Sequence, residues 1–461
     1  MPIRRSALPL VLLVAVVIGC GSSETPTDRP ATAPAAARYP VRSDLMVADE
    51  KATLGSPPRW PAAGFLPLRS LRWPLRTPDP DIADQLKPAL NKKDIVDPVT
   101  ALSEPQRDDL GRLLDQSFGT PAAPRVRVPG TAEMTAAWPP FNPGDEVTPE
   151  EKKERAQAFA DAALTEKAAA DLRLDDETLS RGGLLYRRWC VQCHGATGGG
   201  DGAQVVPGSS PPRDYRQGVF KFVTASPTSG VRGEKGKPRR DDLRRTIRHG
   251  LDGSMMPPFS QLADTDIDDL VSYVTHLSIR GETEYRVMSR AIKPRDSDAE
   301  FVGKELERLF AATAVTALMN WDRAEAAVVA VPPENCPTEA DRLDSSARGF
   351  RTYLGVCAGC HADYGRQPSL RYDMWGTVVQ PRNLLLGVYR GGRKGEDLYT
   401  RVYAGIYPSG MNEHKELLKT NPPPPGKPDL IWDVVHFLQV LPDPARRRAL
   451  LEHDPSVKIE P

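Results

Sequence analysis

Two short segments, WCVQCHG at 189–195 and VCAGCHA at 356–362, set a pair of cysteines three apart with a histidine directly behind the second. Aligned on these pairs, much of the second half of the chain falls into register with itself. Arg181-Gly182 and Tyr186 stand nine, eight and four residues before Cys190, and Arg348-Gly349 and Tyr353 keep the same offsets before Cys357. Downstream, Pro212-Arg213-Asp214 with Gly218-Val219-Phe220-Lys221 matches Pro381-Arg382-Asn383 with Gly387-Val388-Tyr389-Arg390. Asp242-Leu243 leads in eight residues to Gly250, as Asp397-Leu398 does to Gly405. Ile267, Leu270, Val271, Val274 and Leu277 then repeat as Ile431, Val434, Val435, Leu438 and Leu441, the spacing of one apolar helix face. The chain therefore contains a duplicated domain, at 176–280 and 344–446. Each unit reads as a first helix, a looping middle with one short helix, and a closing amphipathic helix. About 100 residues with few strands bury little apolar surface unaided, so each unit calls for a large internal group to complete its core.

The doubled motif names that group. Cys-x-x-Cys-His is the attachment pattern of c-type haem. One helical turn lets the two thiols add across the vinyl groups of a single porphyrin edge, and the histidine supplies the proximal nitrogen. A zinc site from Cys190, Cys193, Cys357 and Cys360 would need both pairs in one small unit, whereas they lie in separate repeats. A redox-active cysteine pair would need a βαβ setting that is missing. Two covalently attached haem c groups are expected, through Cys190, Cys193 and His194 and through Cys357, Cys360 and His361.

Each repeat resembles a class I c-type cytochrome domain: a glycine and an aromatic in the first helix, Cys-x-x-Cys-His, a proline loop, a methionine loop and an aromatic in the last helix. The resemblance covers about 200 of the 461 residues. It implies a mainly α fold of two tandem cytochrome c-like helical domains. It also implies a methionine as the second axial iron ligand. Gly250 to Met256 and Gly405 to Met411 are both six residues, which selects Met256 over Met255 and pairs it with Met411. His414, three residues beyond Met411, is a competing candidate. The family places a proline carbonyl behind the proximal histidine, and Pro212 and Pro381 fit by position. Arg213 and Arg382 are candidates for the haem propionates. Gly182 with Tyr273, and Gly349 with Phe437, look like the close crossing of first and last helices. His249, His276 and His436 read as surface or satisfied helix residues, and Cys336 as an unpaired thiol without an assigned role.

The N-terminus speaks to location. Arg4 and Arg5 precede an apolar run to Gly19 that falls short of the roughly 20 residues a bilayer span needs, so 1–19 reads as a signal peptide. Val17-Ile18-Gly19-Cys20 resembles the lipobox of bacterial lipoproteins, which makes Cys20 a lipid anchor and 20–40 a flexible tether. Residues 41–175 read as a Pro-rich, largely irregular region with a polar helix starting at Thr148-Pro149-Glu150-Glu151. The chain has 46 prolines in all, about twice the usual share of roughly 5%. Residues 281–343 read as a helical linker and 447–461 as a C-terminal tail. The 61 basic residues balance 61 acidic ones, so no nucleic acid is expected as a partner. The arginine and lysine cluster from Arg232 to Arg248 reads as a solvated loop, or else as a face for an acidic redox partner.

The expectation is an electron carrier, not an enzyme. It would be exported to the periplasmic or cell-surface side, lipid-anchored to a bacterial membrane, and would exchange electrons with a quinol-oxidising complex, a dehydrogenase or a terminal oxidase. The alternative is a dihaem peroxidase, which needs one iron with an open distal side.

Overall fold

The structure, a computed structural model, describes residues 38–43, 46–47, 95–96, 98–128, 162–204, 212–225, 236–292, 301–367, 371–372, 378–406, 409–415, 417–418 and 426–460. The signal peptide, Cys20, the tether to residue 37, the Pro/Trp/Arg-rich stretch and the helix start at Thr148 lie outside them. The fold is mainly helical. Helices α1 (Glu104–Phe118), α2 (Ala162–Asp171), α3 (Asp176–Trp189), α4 (Arg240–His249), α5 (Asp264–Ile292) and α6 (Lys304–Ala326) precede α7 (Glu339–Thr352), α8 (Gly395–Ala404), α9 (Leu430–Val440) and α10 (Pro444–His453). The strands described are three antiparallel pairs of two residues each.

Both repeats are built on one crossing. Helix α3 starts at the N-cap Asp175, whose carboxylate accepts from Thr178 N, and it passes α5 at Gly182. A Cβ there would stand 2.2 Å from the Asp269 carbonyl oxygen and 2.9 Å from Tyr273 Cβ. In the second repeat α7 passes α9 at Gly349, where a Cβ would stand 2.0 Å from Asp433 O and 2.9 Å from Phe437 Cβ. The arginine before each glycine clamps the same contact. Arg181 Nε donates to Asp269 at 2.7 Å, and Arg348 Nε to Asp433 at 2.9 Å. The repeated Arg-Gly pair is thus a crossing device: the glycine removes the obstacle and the arginine ties the helices.

Three expectations change. First, α5 does not stop at residue 280 but runs to Ile292, through the polar string SIRGETEYR. Its charges are buried in pairs: Lys237 Nζ meets Glu282 Oε1 at 2.8 Å, Arg280 meets Glu284 Oε2 at 3.0 Å, and Arg42 N donates to Glu284 Oε1 at 2.8 Å. Paired buried charges are tolerated where lone ones are not. Second, residues 41–175 are not uniformly irregular, because α1 packs into the first core through Leu110, Leu113, Leu114 and Phe118. A capping box of Ser103 with Gln106 starts this helix, and His276 Nε2 bonds the carbonyl of Phe118 at its end, 2.9 Å away. Third, neither connecting piece is a mere spacer or tail. Helix α6 buries Leu309, Phe310, Leu318 and Trp321 in the first core, and Leu450, Val457 and Ile459 join the second.

The basic cluster is likewise neither a solvated loop nor a free face where it is described. Arg240 bonds the Leu172 and Asp268 carbonyls and Ser272, Arg244 pairs with Asp268, and Arg248 pairs with Asp264. Arg245 reaches Asp397 of the second repeat at 2.5 Å. Arg232 lies outside the described residues.

Candidate functional site

Each cysteine pair sits at the end of the first helix of its repeat. Helix α3 ends into Cys190, and the turn Val191–His194 follows. Cys193 N and His194 N both bond Cys190 O, at 3.1 and 2.8 Å. In the second repeat a wider turn, Tyr353–Cys357, replaces the helix end. Even so, Cys360 N and His361 N bond Cys357 O at 3.1 and 2.9 Å. All four sulfurs are half-buried free thiols. Burial pushes the Cys190 thiol up to about 12 and Cys357 up to about 11, so both are neutral thiols rather than thiolates near neutral pH. Among the described residues no group of three or more His, Cys, Asp or Glu side chains could hold a metal ion.

The histidines are oriented identically. His194 Nδ1 lies 3.2 Å from the Arg213 carbonyl oxygen, and His361 Nδ1 lies 3.2 Å from that of Arg382. The acceptor is therefore the arginine after each proline, not Pro212 or Pro381 themselves. In the first repeat Pro212 O faces Gly200 instead, where a Cβ would stand only 2.4 Å from it. The bond fixes the tautomer with the proton on Nδ1, which leaves the Nε2 lone pair as the donor. Burial lowers the pKa of His194 to about 4 and depresses that of His361. Both imidazoles are thus neutral at physiological pH, the form that binds metal.

The methionine loops superpose in their bonding. Leu251 N and Ile406 N bond Met256 O and Met411 O at 3.2 and 2.9 Å, and Ser254 N and Ser409 N close the turn on Leu251 O and Ile406 O. Met256 packs on the first core with Cys190, and Met411 on the second with Cys357, while Met255 is 62% exposed. His414 takes the place of Phe259, since their amides bond Val402 O and Ile247 O, each at 3.1 Å.

Behind His194 stands an aromatic wall. Tyr215 lies 5.3 Å from the imidazole and stacks on Phe220, which meets Trp321 edge-on. Trp321 comes from α6, a contribution invisible to the repeat alignment. Cys336 has its Sγ 3.8 Å from His436 Nδ1. His436 itself is held by Ser345 and Glu334, at 2.6 and 2.7 Å. His276 is buried and bonded, and His249 is exposed.

The residues present fit a haem in each repeat. Each repeat offers paired free thiols one helical turn apart, a neutral imidazole with Nε2 open, and a methionine packed on the same core. In the second repeat Arg382 Nη2 is also buried with no hydrogen-bond partner among the described residues.

Residues 177–274 match the family described as cytochrome c oxidase, cbb3-type, subunit III. A solved structure from Kuenenia stuttgartiensis, the reducing HAO-like protein complex, aligns at 22% identity with a TM-score of 0.38, covering 57% of this chain and 95% of that one. A likeness at that level carries no argument about function. No curated protein matches the chain at a significant level.

Proposed function

From a c-type cytochrome domain at 177–274, which marks the chain as a haem-binding electron-transfer protein, we propose that it is a dihaem cytochrome c. It would be exported and tethered to a bacterial membrane through Cys20, relaying single electrons between respiratory components. The observation that carries the second haem is the agreement of the repeats in three places. These are the Cys-x-x-Cys-His turn, the Nδ1 bond to an arginine carbonyl at 3.2 Å in both, and the methionine loop closed on its own carbonyl.

Bound haem c supplies an iron that cycles between ferrous and ferric forms. Cys190 with Cys193, and Cys357 with Cys360, would hold the porphyrin through thioethers, each thiol adding across one vinyl group. His194 and His361 present Nε2, kept in orientation by the carbonyls of Arg213 and Arg382. Met256 and Met411 offer thioether sulfur, a ligand that raises the potential. Tyr215, Phe220 and Trp321 exclude water behind His194. With a methionine packed inward in each repeat, relay is favoured over the peroxidase alternative, which needs an open side. The partner would be a quinol-oxidising complex, a dehydrogenase or a terminal oxidase. Among the described residues no helix is long and apolar enough to cross a membrane, which is compatible with attachment by lipid.

A pyridine haemochrome assay on the mature protein tests the reading. Two covalent haems per chain are expected, one after Cys357→Ser with Cys360→Ser, and none after all four cysteines are converted. One haem in the unaltered protein refutes the second site.

A further inference from the structure

The two methionine loops differ in how their turns are made stiff. Gly253, three residues before Met256, aligns with Pro408, three residues before Met411. A proline ring holds its own φ at about −65°, whereas a glycine passes between positive and negative φ at little cost. Gly253 takes φ +67°, which no proline can adopt and which glycine leaves readily. The first loop is closed partly by its own bonds. Ser254 N and Oγ donate to the Leu251 carbonyl at 3.0 and 2.7 Å, and Met256 N donates to Ser254 Oγ at 3.2 Å. None of these bonds engages the Gly253 carbonyl.

The second repeat does. Arg390 Nη2 donates to the Gly253 carbonyl oxygen at 2.6 Å. The peptide between Gly253 and Ser254 is thereby fixed along both edges, its oxygen by Arg390 and its N–H by the Leu251 carbonyl. Second-repeat side chains also cover the face where a Cβ would project, since it would stand 3.4 Å from Arg382 Nη2 and 3.6 Å from Val388 Cγ1. Arg390 is placed in turn by the first repeat. Gly391, at φ +82°, makes room for the Phe222 ring, which a Cβ would meet at 2.7 Å. The Arg245–Asp397 pair at 2.5 Å joins the same two repeats.

We propose that Arg390 is a positioning residue for Met256: through the Gly253 carbonyl, the second repeat holds the sixth iron ligand of the first repeat in place. This rests on Met256 as an iron ligand in the reading above. The loop that carries Met411 has its stiffness from Pro408 within its own chain, and the loop that carries Met256 borrows it from the other repeat. The dependence is therefore one-sided. An outside ligand displaces Met256 more easily once Arg390 lets go, and displaces Met411 as before.

The test is a titration of the haem-loaded, ferric full chain with imidazole, which competes with methionine for the iron, followed by visible spectra with haem counted in the same samples. An exposed hydrogen bond from a charged donor contributes about tenfold in an equilibrium. Arg390→Ala is therefore expected to bind imidazole about tenfold more tightly at one haem and unchanged at the other, which serves as the check on folding. Arg393→Ala removes the same charge three residues on, from an exposed side chain with no bond to the loop among the described residues, and is expected to change neither haem. In a Met256→Ala background Arg390→Ala is expected to add nothing, because no ligand remains for it to hold. Unchanged binding in Arg390→Ala, equal tightening at both haems, or the same tightening in the Met256→Ala background overturns the clamp. Met256→Ala binding imidazole like the unaltered protein instead refutes Met256 as the ligand, and the proposal with it. A single haem refutes the second site alone, and the titration at the haem of Met256 still decides the clamp.

Discussion

Replacing Gly182 by alanine tests whether the helix crossing organises the first repeat. The new methyl would lie 2.2 Å from the carbonyl oxygen of Asp269, 2.8 Å from its carbon and 2.9 Å from Tyr273 Cβ. Two of these three obstacles are backbone, so no rotamer change relieves them and α3 must move away from α5 by about an ångström. That movement stretches the 2.7 Å bond of Arg181 to Asp269 and the contact of Tyr186 with Tyr273, whose ring centres are 5.2 Å apart. Overpacking that shifts backbone costs about 1–3 kcal/mol, and a carbonyl obstacle puts this case at the upper end. Alanine recovers about 1 kcal/mol of helix propensity over glycine. A net loss of about 2 kcal/mol remains, or about 2 °C in melting temperature for a compact unit spanning 37–461, at about 2.1 cal/mol/K of unfolding entropy per residue. The control is Gly183→Ala, whose methyl would meet only the Tyr273 ring at 3.0 Å and the end of Arg187 at 3.4 Å, groups that can yield. Thermal melting followed by far-UV circular dichroism reads both variants. The reasoning is refuted if Gly182→Ala melts with the unaltered protein, or if Gly183→Ala loses as much.

Two further outcomes are expected. Met256→His should lower one haem midpoint on the order of 0.1 V, within the roughly 0.8 V that axial ligation spans, and move the other far less; equal movement of both in a redox titration would show the ligand to be misplaced. His276 is fully buried and its pKa is lowered to about 4 from an ordinary 6.5. The unfolded chain therefore binds the extra proton between those values, and stability is complete above about pH 6.5 and lost as pH falls toward 4. The loss is about 3 kcal/mol at 1.36 kcal/mol per unit, and His276→Gln should flatten that part of the stability curve in denaturant titrations at pH 4.5 and 7.

The chemistry of the site was legible because it is local. Cys-x-x-Cys-His is fixed by one helical turn, and the choice of Met256 over Met255 follows from counting residues in two copies of one loop. The helix crossing was legible for the same reason, as glycine and aromatic recur at equal offsets. The capping box at Ser103 and Gln106 was also written in the chain, yet α1 was missed under the weight of its proline-rich surroundings. By contrast, nothing local shows that Arg213 rather than Pro212 turns its carbonyl to the histidine. That depends on Gly200, twelve residues earlier in the chain, admitting the proline carbonyl.

What the sequence determined by itself is the repeated unit: its turn of thiols and imidazole, its helix faces and its methionine loop, all set by spacing along one stretch of backbone. What only the tertiary structure decided is how the units are completed and joined. The polar half of α5 is buried because Lys237 and the backbone of Arg42 reach its carboxylates. Trp321 arrives from α6 to back His194's wall, and Arg390 crosses to the loop of the other repeat. These are pairings between residues distant in the chain, and their energy depends on which charge or ring meets which, a quantity that no periodicity records.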